Sequence, residues 1–144
     1  MRLPALAMLA IGIALALSSC IFEAFGFAHD QKLVGPYHLV GVDAPEEMTL
    51  CIRHTEGCTG VGIEATVMAA GYDSRFIVVL RKPADRFGQT LGTPDEYWVI
   101  QRDLAAEARG EGEDAMGPYT ANEYAGLAEQ NAFPEFTIAF DDLR

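Results

Sequence analysis

Histidine and cysteine are scarce in this 144-residue chain, at three each, and tryptophan occurs once. His29, His38 and His54 read as lying in a linker, a strand and a turn. No H-x-x-x-H or H-E-x-x-H spacing connects them, so a histidine-based metal centre lacks its ligands. No G-x-S-x-G turn and no cysteine at a helix start is present, which removes the common ways of presenting a nucleophile beside a base. The glycines after Cys58 are not followed by G-K-[ST], so they form no phosphate loop. Basic residues are also few: ten Lys and Arg stand against 21 Asp and Glu, a formal charge of −11. Binding to phosphate needs clustered Lys and Arg, so this balance disfavours nucleic acid and bare anionic lipid, and no nucleic-acid partner is expected. A basic partner suits such a surface, although solubility alone also accounts for it. The adjacent acids Glu46-Glu47, Asp95-Glu96 and Asp141-Asp142 are expected by chance in so acidic a chain. Glycosidase chemistry needs two carboxyls facing across a cleft, which adjacency does not supply. No catalytic, cofactor-binding or metal-ligating residue is assigned.

What the chain has in quantity is an apolar N-terminus. Arg2 provides a positive start, and Leu3 to Leu17 is an apolar run interrupted only by Pro4 and Gly12. The run is about fifteen residues, short of the ~20 needed to cross a bilayer core. Charge, apolar core and small residues in that order mark a secretory signal peptide. Its end, Leu17-Ser18-Ser19-Cys20, resembles the lipobox of bacterial lipoproteins. That resemblance implies that residues 1–19 are a signal peptide and that Cys20 is diacylated before cleavage, giving a stable membrane anchor through two or more chains. Ordinary secretion without lipidation and a retained membrane span are the competing readings. By the sorting rule of Gram-negative lipoproteins, aspartate after the cysteine favours the inner membrane. Ile21 stands there instead, which implies the outer membrane, facing the periplasm, in a Gram-negative source. Cleavage removes only Arg2 among the charges, so the balance moves from −11 to about −12.

Residues 20–31 then form a lipidated tether and residues 32–144 a single domain, a size that buries most of the surface its unfolded chain exposes. Phe22, Phe25 and Phe27 fit either the lipid headgroup level or a cover over one end of the domain. With Cys20 taken by lipid, Cys51 and Cys58 are an even pair in an oxidising compartment. The intervening His54-Thr55-Glu56-Gly57 reads as a turn between two strands, which predicts a disulfide that stiffens one hairpin. A zinc site would want four ligands where His54 alone is near. A redox pair would show C-x-x-C rather than six intervening residues.

Period-two alternation begins at Leu33. Met48, Leu50 and Ile52 form the apolar side of a half-buried strand, with Thr49, Cys51 and Arg53 on the other, so the disulfide is expected to be peripheral. Glycines 57, 60 and 62 make the next stretch irregular. Ala65 to Ala70 and Arg75 to Leu80 flank Gly71-Tyr72-Asp73-Ser74 and read as a hairpin. Phe76 to Leu80 is apolar throughout and needs cover on both faces. Tyr97 to Ile100 is another strand, with Trp98 read either as core or as part of an aromatic binding face. Asp103 to Gly117 is read as a short helix capped by Asp103, then a loop. Thr120-Ala121-Asn122-Glu123 is a capping box that starts a helix to about Gln130, with Tyr119 and Tyr124 placed for a hydrophobic staple. Phe136, Ile138 and Phe140 alternate in a last strand. The fold class is α+β: a small antiparallel meander of about five strands with one C-terminal helix packed on it.

A wider resemblance rests on Lys32-Leu33-Val34-Gly35-Pro36-Tyr37 with Leu39, Met48-Thr49-Leu50, Tyr72-Asp73-Ser74-Arg75-Phe76-Ile77-Val78, Tyr97-Trp98-Val99-Ile100, and Gly117-Pro118-Tyr119-Thr120-Ala121-Asn122-Glu123-Tyr124. In this order, over most of residues 32–124, they resemble a group of small, functionally uncharacterised bacterial lipoproteins. Tyr119 replaces that group's usual leucine before the threonine and leaves the cap intact. The resemblance implies an architecture and lends no activity. The expected function is a lipid-anchored, non-enzymatic protein of the cell envelope that binds another protein or supports envelope assembly. The alternative is an anchored inhibitor of an exported enzyme such as a lysozyme, whose basic surface meets the acidic one.

Overall fold

The apolar run Phe76–Leu80 needs cover on two faces, and the protein supplies it with two different layers. A computed structural model describes residues 29–85, 89 and 91–140. The signal segment, Cys20 and the aromatic stretch to Ala28 lie outside the described residues, as does Asp141-Asp142.

The protein is mostly antiparallel β-sheet, in two sheets. The first is a meander of β1 (His29–Val34), β2 (Tyr37–Gly41), β3 (Thr49–His54) and β4 (Gly57–Gly60), paired in chain order. The second contains β5 (Val67–Tyr72), β6 (Phe76–Arg81), β7 (Glu96–Gln101), β8 (Met116–Tyr119) and β9 (Ile138–Ala139), in the order β8-β7-β6-β5-β9. Two helices complete the described fold, α1 (Leu104–Glu107) and α2 (Ala121–Asn131). The sheets meet through one apolar core. Tyr37, Leu39, Leu50 and Ile52 from the first pack with Val67, Ala70, Ile77, Val79 and Ile100 from the second. Each such aliphatic side chain stabilises by about 1.5–3 kcal/mol when fully buried. The Val67 N–H donates to the Met48 carbonyl at 2.8 Å, joining the two sheets at a corner.

The other face of the second sheet carries α2 and the return segment behind it. Tyr97 stacks on Tyr124 with ring centroids 4.7 Å apart, and Phe76 meets Phe133 edge-on at 4.9 Å. The capping box is formed: Thr120 Oγ1 accepts from the Glu123 N–H, and Glu123 accepts from the Thr120 N–H. At the other end of α2, Arg75 donates to the Asn131 carbonyl at 2.8 Å, a cation on the negative end of the helix. The return segment then crosses β5 closely. The Glu135 carbonyl lies where a Cβ on Gly71 would stand, so Gly71 is required there.

Several expectations are corrected. The single meander is two sheets, because the glycine-bearing stretch after β4 breaks strand pairing and carries Val61 and Ile63 down into the core. β1 begins at His29, within the stretch 20–31 read as tether, because His29, Asp30 and Gln31 pair with Gly41, Val40 and Leu39 of β2. Gly71 and Tyr72 belong to β5, and the turn shortens to Asp73-Ser74-Arg75, where the Asp73 carboxylate accepts from the N–H groups of Arg75 and Phe76. Met116–Tyr119, read partly as loop, pairs with β7. The helix after Asp103 ends at Glu107, with Asp103 accepting from the N–H groups of Ala105 and Ala106.

Candidate binding groove

Cys51 and Cys58 form the predicted disulfide, across β3 and β4 with Cα atoms 5.7 Å apart. It is not peripheral at both ends. Cys51 is 3% exposed, because β3 is an interior strand with His38 opposite on β2 and Gly60 on β4, while Cys58 is half-buried. The histidines stay apart. His38 Nδ1 is 2.7 Å from Asp30, His54 Nε2 is 3.0 Å from the Thr59 hydroxyl, and His29 packs edge-on against Phe140. Among the described residues no three His, Cys, Asp or Glu side chains are grouped to hold a metal ion. Trp98 packs against the core and donates its indole N–H to Glu96 at 3.3 Å, which favours the core reading over a binding face.

Arg81 and Arg102 brace opposite ends of the second sheet. Arg81 reaches the Ala65 carbonyl and Glu96, the latter at 2.6 Å. Arg102 makes a bidentate pair with Glu107, at 2.8 and 2.6 Å, and its remaining nitrogen donates to the Asp73 carbonyl. The side chains of that pair are 7% and 5% exposed. The hydrogen bonds it donates to Glu107 hold the guanidinium above its ordinary range against the opposing effect of burial, so Arg102 stays charged. The fork geometry ties the end of β7, α1 and the β5–β6 turn at one point. No spacing signal announces it, since the partners meet only once α1 folds back.

Next to this point the chain forms an anchored acidic loop. The Tyr37 hydroxyl accepts from the Glu113 N–H at 2.7 Å, and the Ala115 N–H donates to the Val61 carbonyl at 2.9 Å. A Cβ on Gly112 would lie 2.8 Å from Ile52 and from that hydroxyl, so the loop sits tight on the core. Burial pushes the Tyr37 hydroxyl up in pKa, the Glu113 N–H opposes it, and the net result keeps the phenol protonated.

Between this loop and α2 runs an open groove. Its acidic end, with Gln101, Asp103, Glu113, Asp114 and Met116, encloses about 440 Å³. Its apolar end is floored by Phe76 and Val99, with Leu127 and Phe133 on the helix side and Met116 on the strand side, and encloses about 310 Å³. Gln101 and Met116 line both, so the two hollows lie side by side. Tyr124, Leu127 and Ala128 of α2 are half-buried and none is fully buried.

No protein-family model, curated protein or solved structure matches this chain. No helix among the described residues is long and apolar enough to cross a membrane.

Proposed function

We propose that this protein is a lipid-anchored, non-enzymatic binding module of the cell envelope, with residues 1–19 as its signal peptide, Cys20 as its lipidation site and a tether that leads from it to the domain beginning with β1 at His29. In a Gram-negative source it sits at the outer membrane, facing the periplasm. The lipobox resemblance supports the address, and the resemblance to small uncharacterised lipoproteins over residues 32–124 agrees with it. The observation that carries the binding role is the open groove beside α2, apolar along its floor and acidic at one end. Concave apolar surface with a few polar groups is the usual form of a binding site.

Two measurements test this reading. Intact mass of the purified protein is expected to show cleavage before Cys20 and acyl chains on it, and an unmodified cysteine overturns the anchor. In-cell crosslinking of the full-length protein with mass spectrometry is expected to return one stoichiometric envelope partner, and a reproducible blank overturns the binding role. The surplus of acid, at −11, favours a second reading as an anchored inhibitor of a basic exported enzyme such as a lysozyme. Steering by opposite charge falls with salt. Inhibition that is unchanged at about 0.5 M salt, where screening is nearly complete within a few ångströms, contradicts it.

A further inference from the structure

We propose that the groove between α2 and β7–β8 takes a basic segment of a partner protein, seating one apolar side chain between Met116, Leu127 and Phe133 and pairing an adjacent lysine or arginine with Glu113 and Asp114. This rests on the binding role proposed above and narrows it to one face and one partner chemistry.

The nearby acids are already engaged. Glu107 is locked to Arg102, Asp103 caps α1, and Glu111 pairs with Arg109 at 2.8 Å. The carboxylates of Glu113 and Asp114 make no hydrogen bond or ion pair among the described residues, and both side chains are exposed. They do not hang from a loose loop. The Glu113 N–H is held by Tyr37 and the Ala115 N–H by Val61, so the backbone that carries the two acids is tied to the core. Arg102 also lines that end, but its guanidinium is turned to Glu107 and the Asp73 carbonyl and does not neutralise them. Met116 is 45% exposed where the acidic and apolar ends join. An occupant must therefore offer apolar surface and positive charge side by side, and an acidic one is repelled at the same place.

The test uses the full-length acylated chain in phosphatidylcholine nanodiscs and a short fluorescein-labelled peptide with one phenylalanine between two lysines, read by anisotropy. Binding is expected, and it weakens about tenfold in Asp114→Lys and in Met116→Glu, the loss of a well-placed contact worth somewhat over 1 kcal/mol. Glu56→Lys makes the same change in net charge at the exposed β3–β4 turn and is expected to leave binding unchanged. A peptide with glutamates in place of the lysines is expected not to bind. All three positions are exposed, so the melting temperature checks that the variants fold. Equal losses in Asp114→Lys and Glu56→Lys mean diffuse charge attraction and overturn the inference, as does failure of the lysine peptide to bind. If the peptide fails while in-cell crosslinking still returns a stoichiometric partner, the groove is wrong and the binding role stands. If both fail, both are lost.

Discussion

The two faces of the second sheet are built from different materials. The inner face, against the first sheet, is aliphatic and closed: Ile77, Val79 and Ile100 are fully buried. The outer face, against α2, is aromatic and half-open: Phe76, Tyr97, Tyr124, Phe133 and Phe136 touch in a loose cluster, and α2 buries no residue completely. Aliphatic side chains that interdigitate leave no space for a ligand. On the outer face one stacked pair, Tyr97 on Tyr124, holds the helix, and Phe76 meets Phe133 edge-on just beyond its end. Both faces bury aliphatic residues of the sheet, Val78 and Val99 on the outer one, and the accessible surface lies on the outer face.

Substitutions can break or sharpen this contrast. The largest effect is expected where the sheet's end is tied: Glu107→Ala leaves Arg102 buried without its partner and is expected to cost about 3–5 kcal/mol in urea unfolding. A loss no greater than that of an exposed pair would show that the fork does not organise the fold. On the inner face, Ile100→Ala is expected to cost about 2–5 kcal/mol. On the outer face, Tyr124→Ala is expected to cost about 1–2 kcal/mol, since its ring is half-exposed. Equal costs would erase the contrast. Thr120→Ala removes the cap of α2 and is expected to cost about 1 kcal/mol.

A smaller effect separates the faces by pH. Burial, and then the neighbouring Tyr97, push the Tyr124 hydroxyl up to about 12. The folded protein thus holds this proton more tightly than the unfolded chain, whose tyrosines titrate near ~10. Tyr124 contributes stability that is complete below that value and is lost as pH rises towards 12. Stability followed from neutral to alkaline pH is expected to fall less steeply in Tyr124→Phe. Identical slopes would mean the hydroxyl is solvated. Smallest of all, Arg109→Ala is expected to leave the melting temperature unchanged, because both partners of its pair with Glu111 are 60% exposed.

Local features of this fold were legible in the sequence, and features of chain path were not. The capping box at Thr120 and Glu123, the buried strand Phe76–Leu80 and the Cys51–Cys58 hairpin each depend on residues a few positions apart. β1 was hidden because His29, Asp30, Gln31 and Lys32 show no apolar alternation, and its pairing comes from β2. β8 was hidden because Met116-Gly117-Pro118 has the composition of a turn, while its strand geometry is imposed by β7. Glycines 57, 60 and 62 mark the break between the two sheets, but they do not say that the chain then turns inward at Val61 and Ile63. The groove was out of reach for the same reason, since it joins residues as distant in sequence as Phe76 and Phe133.

The claim that the face beside α2 is the working surface is tested most directly by a photocrosslinking side chain placed in the full-length, lipidated protein in living cells, at Met116 or at Glu56. A single stoichiometric adduct from Met116 and none from Glu56 is the predicted result. An adduct from Glu56 alone, or the same adducts from both positions, would contradict it.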